Sequence, residues 1–460
     1  MKRKLLIGIT AFAVCMSMFA GTKICVKLDD GQIVKYEMDK VVGIHYEVDS
    51  FIVDASETFL AFEILTDTTV EVSWGSCGSI YNVNIPSKVR IDGKVYKVTS
   101  IGERAFYECT YLKSITIPEG VTSIKEDAFR NCSQLESITI PESVTSIKDK
   151  VFYGCSNLES ITFPESVTYI KNGVLMGCSQ LRSIIIPNGV SIIESFAFSG
   201  CSSLESITIP ESVTSIGSYA FSGCSSLESM TIPDSMRYIG EGAFRNCSQL
   251  SSITIPESVF YIGIFAFSGC SSLESMTIPE GVDFIGDETF KDCSQLRSIT
   301  IPESVTSIGD AAFRNCSQLM SITSGGVISI GEYAFSGCSS LESITISESV
   351  TSIERSAFSG CSSLESITIP KGVTSIEEYT FSGCSSLASI TIPESVTSIG
   401  DYAFSSCSGL ESITIPESVT SIEYQAFRNC ENLDVVIENS KENVKIESDF
   451  DGCKSVTYTK

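Results

Sequence analysis

The chain has 460 residues, with 31 Lys+Arg against 56 Asp+Glu and one His, a formal net charge of −25. That balance repels phosphate and excludes nucleic-acid binding by a basic face. A lone His45 excludes paired-histidine zinc sites and leaves almost no material for Ser/His/Asp or Cys/His catalysis.

Met1-Lys2-Arg3-Lys4 is a basic n-region, Leu5 to Phe19 is apolar, and Ala20 offers a small residue before Gly21. Residues 1–20 therefore read as an export signal, too short to span a bilayer comfortably. No later segment is apolar for long enough to be a transmembrane helix, so no membrane span is expected in the mature chain. Residues 21–76 read as a β-rich leader and N-terminal cap, with His45 and Trp74 as packing residues.

The cysteines then set a ruler. They fall at 109, 132, 155, 178, 201, 224, 247, 270, 293, 316, 338, 361, 384, 407, 430 and 453, a step of 23 residues except for 22 between Cys316 and Cys338. A fixed period of this length signals a solenoid rather than a string of domains. Cys77 joins the column, because Ile80, Val83, Ile85 and Pro86 repeat the spacing of Leu204, Ile207, Ile209 and Pro210. The extra length between Cys77 and Cys109 falls near residues 90–97, where Asp92-Gly93 between apolar runs predicts an inserted hairpin. Only Cys15, in the signal, and Cys25 lie outside the column.

Local periods translate one coil into structure. Ser206-Ile207-Thr208-Ile209 alternates polar and apolar residues, which predicts a short strand with the Ile pair inward. All 13 Pro of the chain follow that strand, where a missing N–H stops the ladder. Val213-Thr214-Ser215-Ile216 predicts a second short strand and Gly217 a turn. Tyr219-Ala220-Phe221-Ser222-Gly223-Cys224 has room for about one helical or 3₁₀ turn. Residues 77–460 thus predict a β-rich repeat solenoid of about 17 coils, with a parallel sheet on one face and short strands and one-turn helical or 3₁₀ segments on the other. Stacking at strand spacing makes it a rod on the order of 80 Å long, with Phe on Phe throughout. Leu175 is the aliphatic member of the Phe column, which predicts a looser coil there.

The pattern Leu-x-x-Ile-x-Ile-Pro-x-x-Val-x-x-Ile-Gly-x-x-Ala-Phe-x-x-Cys, as in Leu204 to Cys224, resembles the BspA-type leucine-rich repeat of secreted and surface proteins of Bacteroidetes and some parasitic protists. The resemblance covers about residues 77 to 460. It implies a curved leucine-rich-repeat solenoid, a role in adhesion to host matrix proteins or other cells, and no catalytic residues. Ile24 to Val48 also resembles the short β leader that often follows Bacteroidetes signal peptides.

Several features carry candidate chemistry. The column that includes Cys77, Cys109, Cys132, Cys201, Cys224, Cys316, Cys338 and Cys453 invites a disulfide or metal reading. Parallel Cβ vectors about 5 Å apart overshoot disulfide geometry, and the chain contains no CxxC pair for zinc. Buried small thiols at a coil turn are the reading favoured. Glu119, Glu142, Glu165, Glu211 and Glu257 after Pro, and Glu136, Glu205, Glu228 and Glu365 after Leu, form acidic columns that keep the array soluble; a divalent cation is the less favoured alternative. Tyr238, Tyr261 and Phe284 replace an outward Ser column in consecutive coils, with Phe260 and Phe265 nearby, and are the candidate partner contact. Residues 323–347 are irregular: Thr323-Ser324-Gly325-Gly326 is one residue short and has lost its Pro, and Ser347 replaces the next one. A tolerated deletion is favoured there over a bend. The Asn131, Asn246 and Asn315 sequons arise from the repeat itself. Residues 431–460, with Lys441, Glu442, Lys445, Glu447, Asp449 and Asp451, are expected to form a charged C-terminal cap.

The function expected is protein or cell adhesion by a secreted or surface-displayed solenoid, with no enzyme activity and no cofactor. A structural spacer or envelope component is the alternative, and a periplasmic location stays open.

Overall fold

The computed structural model describes residues 23–27, 33–37, 52–55, 58–75, 80–448, 450 and 452–460. The export signal at 1–20, His45 and Cys77 lie outside the described residues, as do the side chains of Cys25 and Trp74.

Each regular coil has three sides. Strands of the Ser206–Thr208 type form the first side and pair in parallel, Ser206 on Ser229, Ile207 on Met230 and Thr208 on Thr231. These strands continue through sheets of eight, six and three strands, from Asn82–Asn84 to Ser455–Tyr458. Identical neighbours meet because the period keeps every residue over its counterpart, and the pleat points each Ile inward and each Ser and Thr outward. The second side is made of two-residue strands such as Ser215–Ile216, with the Ile buried. The result is a parallel β-solenoid of about 15 turns of about 23 residues, with Asn82–Asn84 and Ser455–Tyr458 as the additional first-side strands at its two ends.

The third side was expected to be helical, and among the described residues it is not. Around Tyr219 the backbone N–H groups alternate in direction. Those of Tyr219, Phe221 and Gly223 donate to Glu241, Ala243 and Arg245 of the next coil at 2.7–2.8 Å, while those of Ala220, Ser222 and Cys224 bond three residues back within their own coil. A helix would turn all of these donors along its own axis; here half of them stitch neighbouring coils together. Two left-handed residues per coil make this alternation, Tyr219 at φ 56° and Gly223 at φ 74° in this one.

The core is one continuous set of columns, and Leu204, Val213, Ile216, Ala220, Phe221 and Cys224 are all fully buried. The Phe rings stack nearly parallel, at centroid distances from 5.1 Å for Phe198–Phe221 to 5.8 Å for Phe427–Phe450. Leu175 interrupts the rings but stays fully buried, and its N–H bonds Ala197 at 2.9 Å. Hydroxyl columns outside add further bonds between coils, as from Ser235 Oγ to the Val213 carbonyl at 2.6 Å.

At the N-terminal end, Leu60–Ile64 and Thr69–Gly75 form an antiparallel pair whose second strand joins Lys94–Ile101 in parallel, so a hairpin continues the second side. Asp92 and Gly93, at φ 50° and 80°, turn Lys88–Ile91 back into Lys94–Ile101.

The short coil keeps its place in the stack, with its strand pairing to the preceding coil reduced to Ser298 on Ser321. Ser321–Ser324 pairs with Ser343–Ile346 over four residues, and the Ile328 N–H reaches the Thr306 carbonyl at 2.8 Å. Gly326 makes this fit, because a Cβ there would collide with the Glu303 carbonyl oxygen. The second side opens elsewhere, between Ile147 and Tyr169, between Ile262 and Phe284, and between Ile353 and Ser375.

Candidate functional site

Tyr238, Tyr261 and Phe284 stand on the outer surface of the second side, each beside an inward Ile. The rings of Tyr238 and Tyr261 stack at 4.6 Å and 4°, while Tyr261 and Phe284 meet edge to face at 5.7 Å and 68°. Burial, and the neighbouring Tyr261, push the Tyr238 phenol above its ordinary range. Phe260, 57% exposed, stands next to Tyr261 in the adjoining outward column. Phe265 belongs to a different surface. It occupies a left-handed position (φ 59°) on the third side, with the Arg245 guanidinium 5.5 Å from its ring. The structure therefore brings together Tyr238, Tyr261 and Phe284, with Phe260 at their edge, and sets Phe265 apart.

The third side carries aromatic residues that the sequence reading had not singled out. Phe196 stacks on Tyr219 at 5.3 Å and Tyr379 on Tyr402 at 4.9 Å, all at left-handed positions. Tyr402 meets Tyr424 edge to face at 5.6 Å, and Tyr424 is 45% exposed. The Tyr219 hydroxyl is 2.5 Å from Glu241 Oε1, a bond that raises its pKa. Arg314 covers Tyr333 at 5.3 Å and Arg355 covers Tyr379 at 5.9 Å. Recurrence of Tyr directly before Ala-Phe, at Tyr219, Tyr333 and Tyr402, was the available signal.

The cysteines are placed by a contact that spacing alone does not reveal. From Cys132 to Cys430 each thiol donates to a main-chain carbonyl in the preceding coil, as Cys224 Sγ does to Phe198 at 3.3 Å and Cys201 Sγ to Leu175 at 3.3 Å. Cys316 and Cys338 reach Phe290 and Phe313, both at 3.1 Å. That carbonyl already accepts one N–H within its own coil, so the thiol takes its second lone pair. Burial pushes these thiols up, to about 12 for Cys201 and Cys270 and well above the ordinary range for Cys224. A neutral, enclosed thiol is a poor nucleophile and a poor metal ligand. Cys132 through Cys453 are free, with Cys453 only half-buried. Cys109 departs from the thiol reading, because it is disulfide-bonded. It stands at the end of the coil lengthened by the hairpin of Lys88–Ile91 and Lys94–Ile101.

The acidic columns are partly spent on the fold. Glu165 and Glu257 accept the Asn188 and Glu280 N–H groups at 3.3 and 3.2 Å, and Glu136 and Glu205 pair with Lys113 and Arg182 at 3.1 and 3.6 Å. Outside these columns the carboxylates of Asp401, Glu423 and Glu447 converge within 4.8 Å. Asp401 there accepts the Tyr424 N–H at 2.8 Å, and Glu447 is held by Lys445 at 2.5 Å.

Among the described residues, no helix is long and apolar enough to cross a membrane. A model of the BspA-type leucine-rich repeat region matches residues 71–205, 191–320 and 318–434. A leucine-rich repeat protein from Bacteroides ovatus is 35% identical, with a TM-score of 0.71, over 81% of this chain and 95% of that one. A leucine-rich cell surface protein from Faecalibacterium prausnitzii is 30% identical, with a TM-score of 0.49, over 85% of this chain and 97% of that one. No curated protein matches the chain. Proteins of this repeat type are generally protein-binding surface proteins, and their solenoid is typically a non-enzymatic scaffold. The chain is a member of the BspA-type leucine-rich-repeat family.

Proposed function

We propose that the protein is exported, secreted or displayed at the cell surface, and adheres there to a matrix protein or to another cell through its outer columns. The observation that carries this reading is the Tyr238–Tyr261–Phe284 column with exposed Phe260, where large rings replace small outward hydroxyls in consecutive coils. Rigid aromatic side chains gain contact area at low entropic cost, and they are enriched at protein interfaces. The basic and apolar character of residues 1–20 supports export. Membership of a family of surface proteins supports a protein ligand.

The test is binding of the mature chain to immobilised matrix proteins and to whole cells, beside the triple variant Tyr238→Ser, Tyr261→Ser, Phe284→Ser. Binding that falls at least tenfold in the variant supports the aromatic patch. Equal binding moves the contact to another face. No binding above background, for the parent as well, favours a spacer that only sets length. Protease shaving of intact cells tests the location.

A further inference from the structure

In a regular coil, two backbone bonds close the second side. The Gly217 N–H donates to the Ile193 carbonyl at 2.8 Å and the Thr214 N–H to the Ser191 carbonyl at 2.9 Å. Both equivalents are missing at three boundaries, those of Thr168 and Lys171, Asp283 and Gly286, and Thr374 and Glu377. On the first side, Ser252–Thr254 and Ser275–Thr277 also lie in separate sheets, as Ser389–Thr391 and Ser412–Ile415 do, although the Glu274 N–H still reaches the Ser251 carbonyl at 3.2 Å.

The three coils share a substitution. The position of Ala220 is a buried column of mostly Ala, and these coils place Val174, Thr289 and Thr380 in it. Thr289 and Thr380 donate their hydroxyls back to the Gly286 and Glu377 carbonyls of their own coils, both at 2.8 Å, which leaves the methyl group as added bulk in the column. In a column at strand spacing, a β-branched residue overpacks and levers that side apart. Val151 stacked on Ala128 is still tolerated, with Lys148 N–H on the Ile124 carbonyl at 3.0 Å; the side opens when Val174 follows it.

Gly286 records the displacement. A Cβ on Gly240 would lie 2.6 Å from the carbonyl carbon of Gly217, whereas on Gly286 the nearest backbone atom is Ile264 Cα at 3.3 Å. The separation is narrow: Ile262, Phe284, Ile285 and Thr289 line it, and it leaves no room for a water molecule. The third side stays closed across it, with Phe265, Phe267 and Gly269 donating to Asp287, Thr289 and Lys291 at 2.8–2.9 Å.

From this geometry we infer that the solenoid is jointed. Its main hinge lies between Ile262 and Phe284, its axis is the closed third side, and lesser joints lie before Tyr169 and Ser375. Opening there breaks no second-side backbone bond, since none is made, while every regular boundary must give up two. The hinge changes the angle between Tyr261 and Phe284, whose rings already depart from the parallel stack of Tyr238 and Tyr261.

Residue-resolved hydrogen exchange on the full chain tests the inference, with Gly263 and Gly309 as internal references. Exchange of the Asp283 and Gly286 amides should be at least tenfold faster than at Gly263 and Gly309. Thr289→Ala should slow Gly286 to the reference rate, and Ala312→Thr should speed Gly309 tenfold. Equal protection of Gly286, Gly263 and Gly309 in the parent chain would overturn the hinge, as would exchange at Gly286 unchanged by Thr289→Ala. Thr289→Ala restores the common residue of the column, and the parent comparison needs no variant at all.

Discussion

The Cys247 thiol lies 3.2 Å from the Phe221 carbonyl oxygen, in the coil before its own. The residue that marks the repeat most clearly in the sequence is therefore also a crosslink between coils. Removing it in Cys247→Ala loses a weak buried donor and the volume of the sulfur, so stability should fall by about 1–2 kcal/mol. The midpoint of urea unfolding reads this, and an unchanged midpoint would show that the thiol–carbonyl contact contributes nothing.

The same burial sets an alkaline limit. An unfolded thiol titrates near 9, whereas Cys201 and Cys270 are held at about 12. Between those values the folded chain keeps protons that the unfolded chain loses, so stability present below about pH 9 falls as pH rises. Each such thiol contributes a slope of about 1.4 kcal/mol per pH unit. Guanidinium midpoints measured from pH 8 to 11 should drop steeply over the upper half of that range and flatten when several column cysteines are replaced by Ala.

Thiol chemistry gives an independent check. At pH 8 the thiols of Cys132 to Cys430 should stay unreactive in the native chain, half-buried Cys453 should react ahead of them, and denaturation should release the whole Cys132–Cys453 column. Near-zero thiols after denaturation would mean that the column is oxidised.

The columns were legible in the sequence because each was written many times over. Leu204, Ile207, Phe221 and Cys224 have counterparts in almost every coil, and their burial follows from the period. The third side was not legible. Phe196, Tyr219, Tyr402 and Gln425 all sit at positive φ, where side chains other than Gly and Asn are uncommon, so local preference pointed to one helical turn instead. The breaks were legible only in part. A deletion and a lost Pro near Gly325 were expected to be tolerated and are accommodated, whereas Thr289 in place of Ala looks conservative and accompanies the boundary at which the strands of both sides fall into separate sheets.

The left-handed positions also predict a stabilising glycine. Ala311 is buried at φ 52°, so Ala311→Gly should relieve about 1 kcal/mol of backbone strain despite the greater chain entropy of Gly. A raised thermal midpoint is expected, and a lowered one would show that the Ala311 methyl matters more than its backbone.

In the reverse direction, Gly269 lies at φ 77° with Asn246 Oδ1 filling the place of its missing side chain. Gly269→Ala should destabilise by about 1–2 kcal/mol. Pairing it with Asn246→Gly should recover part of that loss, because the collision is removed while the strain remains. If the double variant is no more stable than Gly269→Ala alone, the Asn246 side chain is not the obstacle.

In-register pairing of Ser with Ser and Ile with Ile has a consequence for how such a chain can change size. Cutting out one whole 23-residue unit between two regular coils brings together neighbours that present the same side chains at the same heights, so the new junction resembles the old ones. Reach is therefore adjustable in whole steps of one strand spacing, by recombination between near-identical repeats, while the coils at either end keep their own character.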